Sequence, residues 1–206
     1  MKTVMRRIII ILNIWRIAFA YLLVRALNRK LRILIIDEMY HWKKCAHETE
    51  RGIWLFGTLL LYYKEYRNLL CYRMKTGGIF GRIISVITKL LFPNMDTLYI
   101  MCPSIGERLY IQHGFSTWIS AESIGSDCWI NQQVTVGYTF DAKPPVIGNG
   151  VRISAGAKVV GQIKIGDNVI VAANAAGVDD VAENMIVGGV PAKIIGENKE
   201  HNLYCP

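Results

Sequence analysis

The sequence predicts an α+β chain in which an N-terminal α-helical region is followed by a parallel β-helix. Apolar residues dominate the beginning of the chain, which has no glycine or proline before position 52, and aliphatic residues recur every six positions in the second half. The charge divides between the same halves: residues 1–95 hold 17 lysines and arginines against 5 acids, and residues 96–206 hold 7 against 11. We therefore expect a basic helical region at 1–95, a β-helix at 96–196 and a C-terminal tail at 197–206.

The composition limits the class of protein. A chain of 206 residues with 52% hydrophobic and 19% charged residues is too apolar for an intrinsically disordered protein and long enough for two small domains. The net charge of +8 is compatible with binding to nucleic acid. No signature of a nucleic-acid-binding fold accompanies it, so a nucleic-acid partner is not expected.

The first helical segment raises the question of a membrane. Residues 4–24 are mostly apolar, and Ile8–Val24 would form a stretch of 17 residues in which Arg16 is the one charged residue. An arginine at the centre of a span costs about 2.5–3.5 kcal/mol on insertion scales. We therefore expect helices that pack on each other and touch a membrane surface, with a true membrane span as the alternative.

A second candidate for a membrane surface lies between the glycines at 77–81 and Pro93. Arg82 and Lys89 lie among apolar residues at three- and four-residue spacing, a pattern typical of a basic interfacial helix on anionic lipid. A core helix with two solvated charges fits the pattern equally well. The apolar residues of the pattern are Ile79, Phe80, Ile83, Ile84, Ile87, Leu90 and Leu91.

The second half has a six-residue period, which neither an amphipathic helix nor a single strand produces. It indicates a parallel β-helix whose flat faces are short strands and whose inward aliphatic residues stack from coil to coil. The positions in register are Ile105 and Ile111, then Ile124, Ile130 and Val136, then Ile147, Ile153, Val159, Ile165 and Val171.

The period breaks in two places, where we expect loops to leave the coil and build a binding site. Ile111 and Ile124 are 13 residues apart, and His113 lies in this irregular stretch. Val136 and Ile147 are 11 apart, with residues 137–145 (GYTFDAKPP) between them.

The repeat region resembles the hexapeptide acyltransferases, specifically the serine acetyltransferase branch with its relatives for capsular polysaccharide and colanic acid. The resemblance rests on SIGSDCWINQQVTVG at 123–137, PPVIGNGVRISAGAKVVG at 144–161 and the closing IVGGVPAKIIG at 186–196. It implies a left-handed β-helix, a homotrimer, and acetyl-CoA bound in the cleft between neighbouring subunits.

The resemblance places His113 at the family's catalytic position. Transfer of an acetyl group to a hydroxyl needs a base, and imidazole accepts a proton near neutral pH. We expect His113 to be the general base, with the acceptor oxygen attacking the thioester directly and backbone N–H groups holding the oxyanion. The only histidine in the repeat region is His113, so no metal site is expected there.

Two departures from the family pattern concern the acceptor. Serine acetyltransferases carry an aspartate immediately before this histidine, where the chain has Gln112, and an Arg-His pair where it has Lys143 and Pro144. The lost groups would hold the charges of free serine, so we expect a saccharide hydroxyl as acceptor, with Gln112, Asp141 and Lys143 binding the substrate. The sugar ring would stack on nearby aromatic residues, and the carboxylate that orients His113 stays open among three candidates. The aromatic residues are Phe115, Trp118, Tyr138 and Phe140, and the carboxylates are Glu122, Asp127 and Asp141.

The resemblance also implies a set of positions for acetyl-CoA. Gly137, Ala155 and Ala173 would let the pantetheine arm approach backbone amides, because their side chains are small. Lys158 and Lys193 would meet the phosphates of coenzyme A as cations, and Lys193 lies in the closing GVPAK sequence.

Three functions follow as hypotheses. The first is an acetyl-CoA-dependent O-acetyltransferase acting on a surface-polysaccharide sugar, cytoplasmic and peripheral at the inner face of the membrane. The alternative is the L-serine O-acetyltransferase of cysteine biosynthesis. The second alternative is a non-catalytic β-helix scaffold, against which His113 and the intact GVPAK sequence argue.

Overall fold

The computed structural model describes residues 2–138, 143–177 and 179–199, and the chain forms two compact units. The first unit is Met1–Met95 and the second is Asp96–Pro206. The helices of the first unit are α1 (Lys2–Leu12), α2 (Ile14–Ala26), α3 (Arg29–Cys45), α4 (Gly52–Tyr62), α5 (Lys64–Lys75) and α6 (Gly78–Leu91).

The core of the helical unit forms where α3, α4 and α5 pack together. Trp42 is fully buried and makes edge contacts with the rings of Tyr63 and Tyr66. An ion pair, Glu38 with Arg73, lies in the same interior at 3% side-chain exposure on each partner. Burial raises the pKa of the Tyr66 hydroxyl, and the carboxylate of Glu38 raises it further. These charged groups hold α3 and α5 in one register.

The N-terminal apolar segment is broken at Asn13 rather than continuous. The Asn13 side chain donates to the carbonyl of Ile9 at 2.9 Å, and α1 and α2 bend by 70° around this residue. Arg16 lies with its guanidinium over the ring of Phe92 and donates to the carbonyl of Leu91. Within the described residues no single helix is long and apolar enough to cross a membrane, although Val4–Leu12 and Ile14–Ala26 together have the required length and composition.

The second unit is a parallel β-helix with three flat faces. Sheet A has the order β1-β4-β7-β10-β13, sheet B has β11-β8-β5-β2, and sheet C has β15-β14-β12-β9-β6-β3. All pairs are parallel except β14 with β15, which form a closing antiparallel hairpin. The strands of sheet A are β1 (Leu98–Ile100), β4 (Thr117–Ile119), β7 (Thr135–Gly137), β10 (Lys158–Val160) and β13 (Ala176–Gly177). Those of sheet B are β2 (Ser104–Ile105), β5 (Ser123–Ile124), β8 (Val146–Ile147) and β11 (Lys164–Ile165), and those of sheet C are β3 (Tyr110–Ile111), β6 (Trp129–Ile130), β9 (Arg152–Ile153), β12 (Ile170–Val171), β14 (Met185–Gly188) and β15 (Lys193–Glu197).

The core of the β-helix consists of three columns of inward aliphatic side chains, which confirms the six-residue period. Each member pairs in register with its equivalent one coil away, and nearly all are buried. Sheet A contributes Ile100, Ile119, Val136 and Val159, sheet B contributes Ile105, Ile124, Ile147 and Ile165, and sheet C contributes Ile111, Ile130, Ile153, Val171 and Val187.

Glycine follows the sheet B column because the coils approach most closely there. A Cβ on Gly125 would lie 2.6 Å from the nitrogen of Asn149 and from the backbone of Gly148. The adjoining side chains then satisfy backbone donors one coil away: Ser126 N donates to Asn149 Oδ1 at 2.9 Å, and Asn149 N donates to Asp167 Oδ1 at 2.7 Å. The Ile-Gly pairs of the sequence therefore mark a tightly stacked corner.

Candidate active site

The candidate site lies at the corner where the chain passes from sheet C to sheet A, between β3 and β4. Eight positions separate Ile111 from Ile119 at this corner, whereas six separate Ile130 from Val136 one coil later. The two additional residues form an outward bulge that contains His113. The break in period thus produces a local protrusion from a regular scaffold.

His113 is held in a backbone conformation that few side chains adopt. Its φ is +60°, and the amide of Phe115 donates back to its carbonyl in a tight turn. A residue in this left-handed region costs of order 1 kcal/mol, less for Asn, Asp and His than for most others. Its side chain is exposed, and no hydrogen bond to the imidazole occurs in the described parts of the chain. Both ring nitrogens of His113 are thus open to a ligand.

The neighbour of His113, Gln112, is fixed in place by a neutral hydrogen bond. The side-chain amide of Asn131, one coil further along, donates to Gln112 Oε1 at 2.8 Å. An amide in this position orients its neighbours but supplies no negative charge to a protonated imidazole. Because the Gln112 oxygen is engaged by Asn131, its Nε2 group is the part of the side-chain amide that can donate to a ligand hydroxyl.

At the same corner, the residues of the later coils have smaller side chains. Ala155 and Ala173 occupy equivalent positions one coil apart, joined by the hydrogen bond from Asn174 N to the carbonyl of Ala155 at 2.9 Å. The equivalent residue of the preceding coil is Gln132, whose carbonyl accepts from Gly156 N at 3.0 Å. At this corner the side chains are therefore small from Ala155 onward, two coils after His113, and small side chains let an extended ligand approach the backbone.

Gly137 and Lys158 lie on sheet A. A Cβ on Gly137 would meet nothing within 4 Å, so packing within the described chain does not require glycine there. Lys158 Nζ donates to the carbonyl of Gln133 at 2.6 Å, which holds the ammonium near the corner. Lys193 lies in the closing hairpin with its ammonium 3.6 Å from a carboxylate oxygen of Asp179, and both side chains are mostly exposed.

An aromatic pair that the sequence reasoning missed in part lies on the outer surface of sheet A. The rings of Tyr99 and Trp118 are 4.8 Å apart at their centroids with 38° between their planes. A cavity of about 280 Å³ is lined by Thr97, Tyr99, Ser116, Thr117 and Trp118. Tyr99 stands one coil before Trp118 but 19 residues away, so the six-residue period gave no signal for this pairing.

The structure reduces the candidates for the carboxylate that orients His113. Of the three candidates, Asp127 forms an ion pair with Arg108 through two contacts of 2.5 and 2.7 Å at the corner between sheets B and C, away from the corner of His113. Glu122 is exposed on the connection from sheet A to sheet B. Asp141 and Phe140 lie outside the described residues. The neighbouring Lys143 is exposed.

No group of three or more His, Cys, Asp or Glu residues that could hold a metal ion occurs in the described ranges.

The aromatic side chains of Phe115 and Tyr138 are exposed, as is that of Trp118. Among the described residues, the functional groups near this site are one imidazole, neutral amides, aromatic rings and lysines.

Comparison with known proteins gives the same classification by sequence and by fold. Residues 144–176 match the family described as "Bacterial transferase hexapeptide (six repeats)". The serine acetyltransferase of Helicobacter pylori is 33% identical over 175 residues, which cover 80% of this chain and 100% of that protein. The serine acetyltransferase of Synechococcus elongatus is 32% identical over 145 residues, covering 66% of this chain and 59% of that protein, so the match to this relative leaves much of its length unaligned.

Solved structures share both the helices and the β-helix. A serine acetyltransferase in complex with cysteine has a TM-score of 0.66 at 22% identity, covering 86% of this chain and 70% of that one. A serine acetyltransferase of Brucella abortus in complex with coenzyme A has a TM-score of 0.63 at 24% identity, covering 85% and 71%. These likenesses confirm the predicted fold, helices followed by a left-handed parallel β-helix. With the full-length match to the Helicobacter pylori protein, they show that the chain belongs to the serine acetyltransferase family of hexapeptide-repeat acyltransferases.

Proposed function

We propose that this protein is an acetyl-CoA-dependent O-acetyltransferase in which His113 is the general base. The observation that carries the proposal is the geometry of His113, an exposed imidazole on a left-handed bulge of an otherwise regular coil. The positive φ alone does not distinguish His113, because Ser116, Gln133 and Asn174 share it at the same corner, whereas the exposed imidazole on the bulge does. The proposed compartment is the cytoplasm, where acetyl-CoA is available.

The proposed reaction is a direct transfer in which the imidazole of His113 takes the proton of the acceptor hydroxyl. The hydroxyl oxygen attacks the thioester carbonyl, and backbone N–H groups stabilise the oxyanion that forms. The intermediate collapses with cleavage of the C–S bond, and the imidazolium returns its proton to the leaving thiolate of coenzyme A. An acyl-enzyme on Cys128 is not proposed, because burial raises the pKa of that thiol to about 12 and keeps it protonated.

For the acyl donor we propose a binding site along the small residues of this corner. Ala155 and Ala173 leave the backbone accessible to the pantetheine arm, and Gly137 leaves open space on sheet A. Lys158 and Lys193 are proposed to meet the phosphates, the former from a position fixed by Gln133. A homotrimer would form the second wall of this cleft, and coenzyme A is the ligand in the Brucella abortus structure.

The comparisons favour L-serine as the acceptor, because the relatives are serine acetyltransferases. A saccharide hydroxyl, such as that of a surface-polysaccharide sugar, remains a second candidate on specific observations. Gln112 is engaged with Asn131 as a neutral pair, and the rings of Tyr99 and Trp118 form a surface on which a sugar ring can stack. The proposed contacts of Asp141 and Lys143 with the acceptor apply to either compound.

The test is thiol release from acetyl-CoA with L-serine and with a panel of mono- and oligosaccharides. His113→Ala is expected to lower kcat/KM by about 10²–10⁴, the range for loss of a general base. The matched control is His47→Ala, which replaces a second histidine with positive φ, in the helical unit. We expect the control to keep full turnover.

The outcomes separate the hypotheses. Turnover with serine that is lost in His113→Ala supports the serine acetyltransferase, and turnover with a saccharide alone supports the second candidate. Full turnover by His113→Ala contradicts the role of the imidazole. If the wild type shows no turnover and calorimetry detects no binding of coenzyme A, the proposal of an acetyltransferase is contradicted and the non-catalytic scaffold is supported.

A further inference from the structure

Helix α6 presents its large apolar side chains to the outside of the helical unit. Ile79, Ile83, Val86 and Leu90 are each more than half exposed, and they form one stripe along the helix, which we name the α6 stripe. Phe80 lies beside it and is 56% exposed. A helix of a globular protein normally turns its apolar face toward the core, so this arrangement is the reverse of the usual one.

The opposite face of α6 explains how the helix is held without burying these side chains. Gly81, Ser85 and Thr88 face the interior, and Ser85 Oγ donates to the carbonyl of Cys71 in α5 at 3.1 Å. A Cβ on Gly81 would lie 2.0 Å from the carbonyl oxygen of Met74. Small residues therefore dock α6 tightly on the backbone of α5. Ile84, which the sequence pattern grouped with the other apolar residues of α6, is buried. Val86, which the pattern did not include, is exposed and belongs to the stripe.

The charges beside the stripe indicate what kind of surface it would fit. Arg82 and Lys89 are exposed along one edge of the stripe, and neither has an acidic partner in the described parts of the chain. Helix α6 contains no acidic residue, and residues 1–95 carry 17 basic residues against 5 acidic ones. An anionic lipid surface satisfies both features at once, because its acyl region accepts the apolar stripe and its headgroups attract the cations.

A second copy of the chain is the competing occupant, and the charges disfavour a contact in which α6 meets α6 of the other copy. In a twofold contact between two α6 helices, each helix meets the same surface of its partner. No carboxylate on α6 could then pair with Arg82 or Lys89 of the other copy. Helix α2 packs beside α6 and adds Trp15 and Leu22, both more than 60% exposed, which extends the apolar area on this unit.

We propose that the α6 stripe, with Arg82 and Lys89, docks this protein on an anionic membrane surface. The helix would lie in the plane of the interface with its apolar side chains among the headgroups and upper acyl chains. The proposal does not depend on the identity of the acceptor or on the role of His113.

Vesicle co-sedimentation of the full chain tests the proposal. We expect the protein to sediment with vesicles of phosphatidylcholine containing about 30% phosphatidylglycerol and to stay in solution with phosphatidylcholine alone. Ile83→Ser combined with Leu90→Ser should weaken binding by about tenfold or more through lost apolar contact. Arg82→Gln combined with Lys89→Gln should weaken it by about fivefold for each cation removed.

The matched control is Ile33→Ser, on α3, because Ile33 is as exposed as Ile83 (56% and 53%). It should sediment like the wild type, and thermal unfolding should show that all variants are folded. No binding to anionic vesicles, equal binding to both vesicle types, or equal loss in the control would each overturn the proposal. The stripe is instead an interface between copies if the wild type does not bind vesicles and the variant with Ile83→Ser and Leu90→Ser has half the wild-type mass in light scattering.

Discussion

Replacing Gly125 with alanine tests whether close stacking at the sheet B corner determines the stability of the β-helix. The new Cβ would lie 2.6 Å from three backbone atoms of the next coil, and none of these belongs to a side chain that could move. That coil is also held from its far side, where Asn149 N donates to Asp167 Oδ1 at 2.7 Å. Overpacking costs about 1–3 kcal/mol, and contact with fixed backbone places this site at the upper end.

The matched control is alanine at Gly137, where a Cβ would meet nothing within 4 Å. With about 4 °C lost for each kcal/mol in a domain of this size, Gly125→Ala should lower Tm by roughly 10 °C. Gly137→Ala should keep its Tm and instead lose acetyl-CoA-dependent turnover, since we place the acyl donor over that glycine. Circular dichroism and thiol release measure the two effects. An unchanged Tm for Gly125→Ala would refute the conclusion that the coils stack too closely for a Cβ there. An equal loss of Tm in Gly137→Ala would refute the conclusion that a Cβ fits at Gly137.

Three further predictions concern buried charges, a buried thiol and the acceptor. Glu38→Gln should lower the free energy of unfolding by about 3–5 kcal/mol in urea titrations, because it leaves Arg73 buried without its anion; a loss below about 1 kcal/mol would contradict this. Since burial raises the pKa of Cys128 to about 12, the unfolded chain loses this proton first as pH rises above about 9, and stability falls by up to about 1.4 kcal/mol per pH unit. Cys128→Val, which copies the residue of the next coils, should remove that part of the fall, and parallel pH profiles of the two proteins would contradict it. Gln112→Asp should raise turnover with serine relative to saccharides, and an unchanged ratio would show that this position does not select the acceptor.

The β-helix could be predicted from the sequence because its order is local and repetitive. Every aliphatic residue assigned to the six-residue period stands in the inward columns, since a coil of constant length places equivalent residues directly above one another. Where the coil length changes, a spacing of six no longer identifies residues that stack on each other. The pairing of Tyr99 with Trp118 crosses the irregular corner, so counting in sixes from Trp118 does not arrive at Tyr99.

The helical unit was harder to predict, because a helical period does not say which face is buried. Arg16 illustrates the difficulty: in the sequence it interrupts an apolar stretch, and in the structure it bonds the C-terminal end of α6 through the carbonyl of Leu91. Likewise the spacing of apolar residues in α6 fits a core helix and a surface helix equally. The decision depends on Gly81, Ser85 and Thr88, whose small side chains let α5 approach so closely that this face becomes the buried one.

Which acceptor the site binds depends on charged and polar groups whose positions can be predicted only approximately from the sequence. Free serine carries an ammonium and a carboxylate, and a site that leaves either unpaired loses much of its affinity for it. The structure provides a neutral Gln112–Asn131 pair beside His113 and binds Asp127 to Arg108 on another corner. Any carboxylate that serves His113 must then come from Glu122, from the segment 137–145 that includes Asp141, or from a neighbouring subunit of a trimer. Turnover with serine would therefore require one of these sources, and Asp141→Asn tests the second. We expect a fall in kcat if Asp141 orients His113, a rise in KM alone if it only contacts the acceptor, and unchanged kinetics if the carboxylate comes from another source.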